Sequence, residues 1–248
     1  GHGLIEVARA LNKSDGFSVL SLTEAIELRE HGFNQEILML EGFFEKYEVS
    51  IAAQLNIGVT LHNQEQLDLI LNERPKKPID IHLKVNTGMN RLGFLPEKVP
   101  YILKAISASP FIGKIVLMTH FSNADDAIGI SSQMNMFNTI KCNQLERSVA
   151  NSAALIRYPE SRLEWVRPGI MLYGASPFED TSAKKLDLAA VMTLKSKIIA
   201  IQTIKKGESV GYGSSFFAKT SMKIGIVACG YADGYPRHAE NGTPVMVN

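Results

Sequence analysis

Only two of the 248 residues are cysteines and only one is tryptophan. Cys142 and Cys229 lie far apart, which gives neither a disulfide framework nor a metal-ligand spacing. No run approaches the roughly 20 apolar residues that a membrane-spanning helix needs. Neither sign of charge dominates. Twenty-six Lys and Arg against 25 Asp and Glu leave a formal net charge of +1. That excludes a bulk electrostatic footprint for nucleic acid or for an anionic membrane. No G-x-G-x-x-G follows an apolar run, which argues against a dinucleotide-binding sheet. No signal peptide is expected at the start, and the cysteine usage fits a reducing, cytoplasmic compartment. The chain opens at Gly1-His2-Gly3 without a methionine, so natural sequence upstream is expected.

What remains is an ordinary globular composition, 45% hydrophobic and 21% charged. Compact apolar runs that suit a buried parallel sheet occur at Phe17–Leu20, Glu36–Leu40, Gly58–Leu61, Ile79–Val85, Lys114–Thr119, Arg147–Ala150 and Trp165–Tyr173. Helix signals lie between them. Ser21-Leu22-Thr23-Glu24 is a capping box followed by Ala25, Ile26 and Leu28, and Gly32 closes it. Asn63 to Gln66 repeats the idea, and Pro96 opens a helix bearing Val99, Ile102, Leu103 and Ile106. Gln133–Leu145 reads as a longer helix. Strand and helix alternate in this way to about Gly174, which predicts an α/β fold: an open doubly wound sheet or a (β/α) barrel. Seven strands are one short of a closed barrel.

After Pro177 the pattern changes. Phe178–Asp187 is polar and reads as a linker. Short strands without helices follow at Ala190–Ile201, Ser209–Gly211, Lys223–Cys229 and Val245–Val247, with turns at Lys206-Gly207 and Asn241-Gly242. The expected organisation is a barrel domain over residues 1–178 and a partial β domain over 187–248, its last hairpin interrupted at Asn248.

Polar residues gather at the carboxyl ends of the candidate strands, where barrels build their active sites. They are Lys84 to Arg91, Thr119 to Asp125, Asn151 to Ala154, and Arg167 to Ile170. Each has a plain structural role if taken alone. Lys84 and Arg91 can be an ion-paired structural set, His120 a packed core histidine, Ser152 a helix N-cap and Gly169 a turn glycine. Tyr212 and Asp233 can be ordinary turn residues. The spacing of His120 with Asp125 and Asp126 matches no metal motif, so no metal is expected. Together, the Ser152 hydroxyl and the backbone N–H groups of Gly169 and Ile170 suit a phosphate, with Arg167 beside whatever carries it. The residues alone therefore predict a barrel enzyme for a phosphorylated ligand.

Seven blocks, in order along the chain, resemble the bacterial alanine racemases that depend on pyridoxal 5'-phosphate. They are Gly1-His2-Gly3, Lys84 to Phe94, Met118 to Asp125, Asn151-Ser152-Ala153, Trp165 to Gly174, Val210 to Gly213 and Gly230 to Arg237. The resemblance implies a (β/α)8 barrel lacking its first strand here, a β domain, and a homodimer with shared active sites that interconverts L- and D-alanine for peptidoglycan. By position, Tyr212 matches the catalytic tyrosine lent to the partner subunit, and His120 the histidine that contacts it. Arg167 matches the arginine at the pyridine nitrogen. Arg91 matches the arginine near the cofactor's phenolic oxygen and the substrate, and Lys84 a lysine often carbamylated in relatives. Ser152, Gly169 and Ile170 match phosphate contacts, and Tyr231 a residue that lines the way to the substrate. Asn86 departs from the Asp common in relatives. The cofactor's lysine is expected just upstream of Gly1, so the 248 residues by themselves are expected to be inactive. Two other readings share the fold type: a cofactor-handling barrel without racemase activity, and an amino-acid decarboxylase. The blocks around Tyr212 and Tyr231 count against both.

Overall fold

The computed structural model describes residues 2–141 and 144–247; Gly1, Cys142, Asn143 and Asn248 lie outside the described residues. The chain forms two compact units, residues 1–192 and 193–248.

The first unit alternates β-strands with helices. The strands are β1 (Gly16–Val19), β2 (Glu36–Met39), β3 (Gly58–Leu61), β4 (Ile79–Lys84), β5 (Ile112–Met118) and β6 (Glu146–Ser148). All neighbours are parallel, in the order β1-β2-β3-β4-β5-β6. The helices are α1 (Leu4–Ala10), α2 (Leu22–Glu30), α3 (Lys46–Gln54), α4 (Gln64–Glu73), α5 (Val99–Ser107), α6 (Ser131–Asn138) and α7 (Ser152–Arg157). The capping box at Ser21 and Glu24 forms, and the Asn63 side chain caps α4 by accepting from the Gln66 N–H. Pro96 opens a single 3₁₀ turn that runs into α5.

Side-chain alternation splits each strand between two faces. On β4, Ile79, Ile81 and Leu83 enter a core shared with Ala25, Leu28, Ala52, Leu67, Ile70, Val99, Ile102 and Ile106 of the helices. Asp80, His82 and Lys84 take the opposite face. That inner face must be strongly curled. The Lys114 ammonium of β5 meets Glu36 of β2 at 3.4 Å and Glu146 of β6 at 2.9 Å. On a flat sheet β2 and β6 would stand about 19 Å apart, at ~4.8 Å per strand step. One lysine reaches both only because the sheet bends around it, as a barrel wall does.

Three expectations for this part of the chain need correction. Trp165–Tyr173 is not a seventh strand: Trp165 makes one parallel bridge to Ser148, and Ile170–Tyr173 is a 3₁₀ turn. Pro168 has no N–H to donate to a ladder, and Gly169 turns the chain. The helix expected over Gln133–Leu145 runs only from Ser131 to Asn138. The Thr139 hydroxyl donates to the Met136 carbonyl and ends it. The linker reading of Phe178–Asp187 also fails at its start. Phe178 is buried, with the Arg157 guanidinium 4.0 Å from its ring centroid. A phenylalanine in a polar stretch is an anchor rather than a spacer.

The second unit pairs β7 (Ile198–Ile204) with β10 (Met222–Val227) in antiparallel register, and β8 (Ser209–Val210) with β9 (Phe216–Phe217). The Lys206-Gly207 and Asn241-Gly242 turns form. Regular strand begins at Ile198, not Ala190, and Val245–Val247 is exposed and unpaired rather than a strand. Among the described residues no helix is long and apolar enough to cross a membrane.

Candidate active site

The carboxyl end of β4 carries Lys84 into a tightly closed loop. The Phe94 N–H donates to the Lys84 carbonyl and the Asn86 N–H donates to the Phe94 carbonyl, both at 2.9 Å. Gly93 sits in this closure at φ +120°, and a Cβ there would stand 2.8 Å from the Asn86 nitrogen and 2.9 Å from the Lys84 carbonyl oxygen. Only glycine fits. The Asn86 Oδ1 accepts from the Gly88 and Asn90 N–H groups at 3.1 and 3.0 Å. Asn86 therefore holds the loop that presents Arg91. A carboxylate could accept the same two bonds, so the departure from Asp costs the loop nothing.

After β5, Thr119 and His120 lead into a loop pinned by Gln133 of α6. The Gln133 amide donates to the Thr87 hydroxyl and the His120 carbonyl and accepts from Ser122. The Thr119 hydroxyl bonds the Thr87 hydroxyl at 2.7 Å and the Val85 carbonyl at 2.9 Å. These contacts tie the β4 and β5 ends together.

Arg167 crosses the top of β5 and β6. Its N–H groups donate to the Ser148 hydroxyl at 2.5 Å, the Thr119 carbonyl at 2.6 Å and His120 Nδ1 at 3.4 Å. Its own N–H donates to the Ala150 carbonyl. Burial of the guanidinium lowers its pKa to about 10 and leaves it cationic. His120 is pushed down to about 4, first by burial and then by the charges of Arg167, Lys84 and Arg91. It is a neutral ring whose Nδ1 accepts from Arg167, which places its proton on Nε2. Burial, with Arg91 and Arg167 nearby, lowers Lys84 to about 8. Lys84, Arg91, His120 and Arg167 thus feel one another. Among the described residues no carboxylate lies within ion-pair distance of any of them. The plain alternative of Lys84 with Arg91 as a self-satisfied structural pair does not hold, because both are cations without an acid.

Beside this cluster, Ser152 begins α7. The sequence suggested it as the N-cap, but Asn151 takes that role by accepting from the Ala154 N–H. The Ser152 hydroxyl is left over. It accepts from the Gly169 N–H at 2.8 Å and the Met171 N–H at 3.4 Å, and still has its own proton to give. Ile170 lies between these two N–H groups with half its surface exposed. Gly3 and His2 also approach this end, with the His2 ring centroid 4.5 Å from that of Tyr173. Among the described residues no group of three His, Cys, Asp or Glu could hold a metal ion.

In the second unit, Tyr212 is completely exposed on a short 3₁₀ turn between Gly211 and Gly213, at φ +73° and +71°. Tyr231 is 70% exposed at the start of another such turn, with Arg237 5.8 Å from its ring centroid. The turn is held by Asp233, whose carboxylate accepts from the Gly230 N–H.

Sequence reasoning missed the groups that hold Arg167, namely Thr119 and Ser148. Period-two alternation along β5 and β6 could have found Ser148. It also missed the inner-face residues Thr60, His82 and Lys114; Asp80, His82 and Lys84 alternate visibly in the sequence.

A curled parallel sheet with helices outside, and an acid-free cationic cluster at its strand ends, is the architecture of a β/α-barrel enzyme. Comparison with known proteins narrows the class. The N-terminal domain model of alanine racemase matches residues 1–177, and the C-terminal domain model matches residues 191–248. An alanine racemase of Nitrosomonas eutropha is 50% identical over 254 residues, covering all of this chain and 70% of that protein. The biosynthetic alanine racemase of Pseudomonas aeruginosa superposes with a TM-score of 0.95 at 39% identity, over 99% of this chain and 70% of that one. The enzyme of Acinetobacter baumannii gives 0.89 at 41% identity, over 95% and 67%. The chain belongs to the alanine racemase family, whose members are isomerases.

Proposed function

We propose that the Lys84–Arg91–His120–Arg167 cluster is the active site of an alanine racemase that holds pyridoxal 5'-phosphate and completes itself in a homodimer. The observation that carries this reading is the concentration of cationic groups with no acid among them, next to a hydroxyl and N–H cradle. Such a site suits a ligand that brings its own negative charges, a phosphate and a carboxylate. The donor set fits the cofactor: the Ser152 hydroxyl and the Ile170 N–H would hold the phosphate, with the Gly169 N–H turning to it from Ser152, Arg167 would meet the ring nitrogen, and Arg91 the phenolic oxygen or the substrate carboxylate. When bound, the cofactor supplies the electron sink that makes the proton on the alanine Cα removable.

The chain's own residues do the rest. Racemisation needs an acid/base group on each face of Cα. Tyr212, presented outward by its two glycines, is the group lent to the partner's site. A phenol has an ordinary pKa of about 10 and needs a cationic neighbourhood to act near neutrality. His120 provides the link. Its Nε2–H is directed by the bond that Nδ1 accepts from Arg167, so it serves as a neutral donor to the phenolate rather than as a charge. Tyr231 guards the way to the substrate.

Lys84, with its lowered pKa of about 8, is the carbamylation site. The neutral amine nitrogen attacks the carbon of CO2, a C–N bond forms, one C=O electron pair moves to oxygen, and the amine proton passes to solvent. The product is a carboxylate among cations that lack one, placed to orient Arg91.

The test is formation of D-alanine from L-alanine by the full-length protein, with Ser152→Ala as the cofactor probe. Racemase activity, together with about tenfold weaker pyridoxal phosphate binding in the variant, is expected. A protein that binds the cofactor and does not racemise alanine would overturn the reading.

A further inference from the structure

Two polar atoms buried in the inner face of the sheet have no hydrogen-bond partner: Thr60 Oγ1 and His82 Nδ1. Their positions are linked. Thr60 of β3 and His82 of β4 are directly paired across the parallel ladder, so the two side chains stand side by side on one face. That face is the inner one. His82 meets the Trp165 ring edge-on with centroids 6.4 Å apart, and Trp165 in turn lies 4.8 Å from the Lys114 ammonium. Thr60 is wholly buried and His82 is 8% exposed. An unpaired buried polar atom is costly, and two adjacent ones of opposite or interchangeable character are rarely left so.

The surroundings restrict what can satisfy them. Lys114 is already committed to Glu36 and Glu146, and Glu146 also accepts from the Trp165 N–H. Lys114 and Glu146 are therefore not free to turn toward the pair. His82 itself is held down to about 3, by burial first and then by Arg167 and Lys114, so its ring is neutral. A neutral imidazole beside a hydroxyl asks for a neutral partner that can donate to one and accept from the other. Water is the smallest such group, and buried waters characteristically bridge two or more otherwise unsatisfied atoms.

We propose that the barrel interior contains a specific internal water site, in which one water bridges Thr60 Oγ1 and His82 Nδ1. The site is not part of the racemisation chemistry. Lys84, two residues beyond His82 on the same strand and face, makes the hydrated interior the layer beneath the active site. The water is a structural component: it lets the inner face carry a histidine that meets Trp165 edge-on without an orphaned nitrogen.

The experiment is a high-resolution crystal structure of the full-length holoenzyme, beside one of Thr60→Val, with thermal unfolding of both. Threonine and valine have nearly the same shape, so the variant removes the hydroxyl and little else. An ordered water within hydrogen-bond distance of both atoms is expected. In Thr60→Val that water is expected to be lost or displaced, and the Tm to fall. A dry interior, a direct bond between Thr60 and His82, or a water touching only one of them would overturn the proposal. A Thr60→Val protein with unchanged or raised Tm would do the same, since a truly unpartnered hydroxyl is better replaced by a methyl group. Magnetic relaxation dispersion gives a solution readout independent of crystals: a long-lived internal water is expected in the parent and should vanish in Thr60→Val.

Discussion

The two units solve opposite problems. In the first, the candidate site rests on a bonded scaffold: Arg167 is held by Ser148, Thr119 and His120, and the loop that carries Arg91 by the Asn86–Gly93 closure. In the second, Tyr212 stands fully exposed on a short turn, and Tyr231 stands largely exposed on another with only Arg237 beside its ring. Lys84 is buried and His120 and Arg167 are half-buried, while Arg91 stands exposed on its closed loop. A group lent to another subunit must be displayed. The contrast teaches that substitutions in the two regions should fail differently, in activity and stability together for the first and in activity alone for the second.

Tyr212→Phe is the sharpest test of that contrast and should have the largest effect. Loss of a general acid/base lowers kcat by about 10²–10⁴. Because the side chain is fully exposed, unfolding free energy should change by no more than ~0.5 kcal/mol. A variant that loses activity because it unfolds would break the comparison. Arg167→Met should lower kcat/KM by about 10²–10³, since it removes a preorganised charge held by Ser148, Thr119 and His120. It should also destabilise the protein, because the Thr119 carbonyl and Ser148 hydroxyl lose their partner.

The histidine of the barrel adds a pH signature. His120 binds its proton only near pH 4 in the folded state, against about 6.5 unfolded. Between these values the unfolded chain binds more protons, so stability rises with pH through this window and flattens above it. His82 adds a slope of the same sign, reaching down to about 3. His120→Asn should flatten the curve by about 2 kcal/mol between pH 6.5 and 4, measured by denaturant unfolding at each pH. An unchanged slope would mean that His120 is solvated. The smallest effect is expected at Trp165. Trp165→Phe keeps the ring and loses the N–H that Glu146 accepts, and should cost about 1 kcal/mol of stability with a few-fold loss of kcat/KM.

Much of this was legible in the residues. The capping box at Ser21, the cap at Asn63 and the strand Gly58–Leu61 stand as read, because each depends on local chemistry. The positions of Lys84, His120 and Ser152 at or just beyond strand ends followed from the alternation of apolar runs and helices. Pro168 and Gly169 misled the strand count, because the apolar flanks of Trp165–Tyr173 outweighed them in the pattern. Phe178 was taken for part of a spacer, since its burial depends on Arg157, far away in sequence. The bonds that hold Arg167 were out of reach for the same reason: Thr119 and Ser148 meet it only once β5 and β6 are paired.

The central claim is that the phenol of one subunit serves the cationic cluster of another. Mixing full-length Tyr212→Phe with full-length Arg167→Met, each inactive alone, and allowing subunits to exchange tests it directly. If the site is shared, each mixed dimer of this symmetric assembly has one intact site, and activity should return to about a quarter of the parent's. If Tyr212 serves its own subunit, both sites of the mixed dimer stay broken, and no activity will reappear.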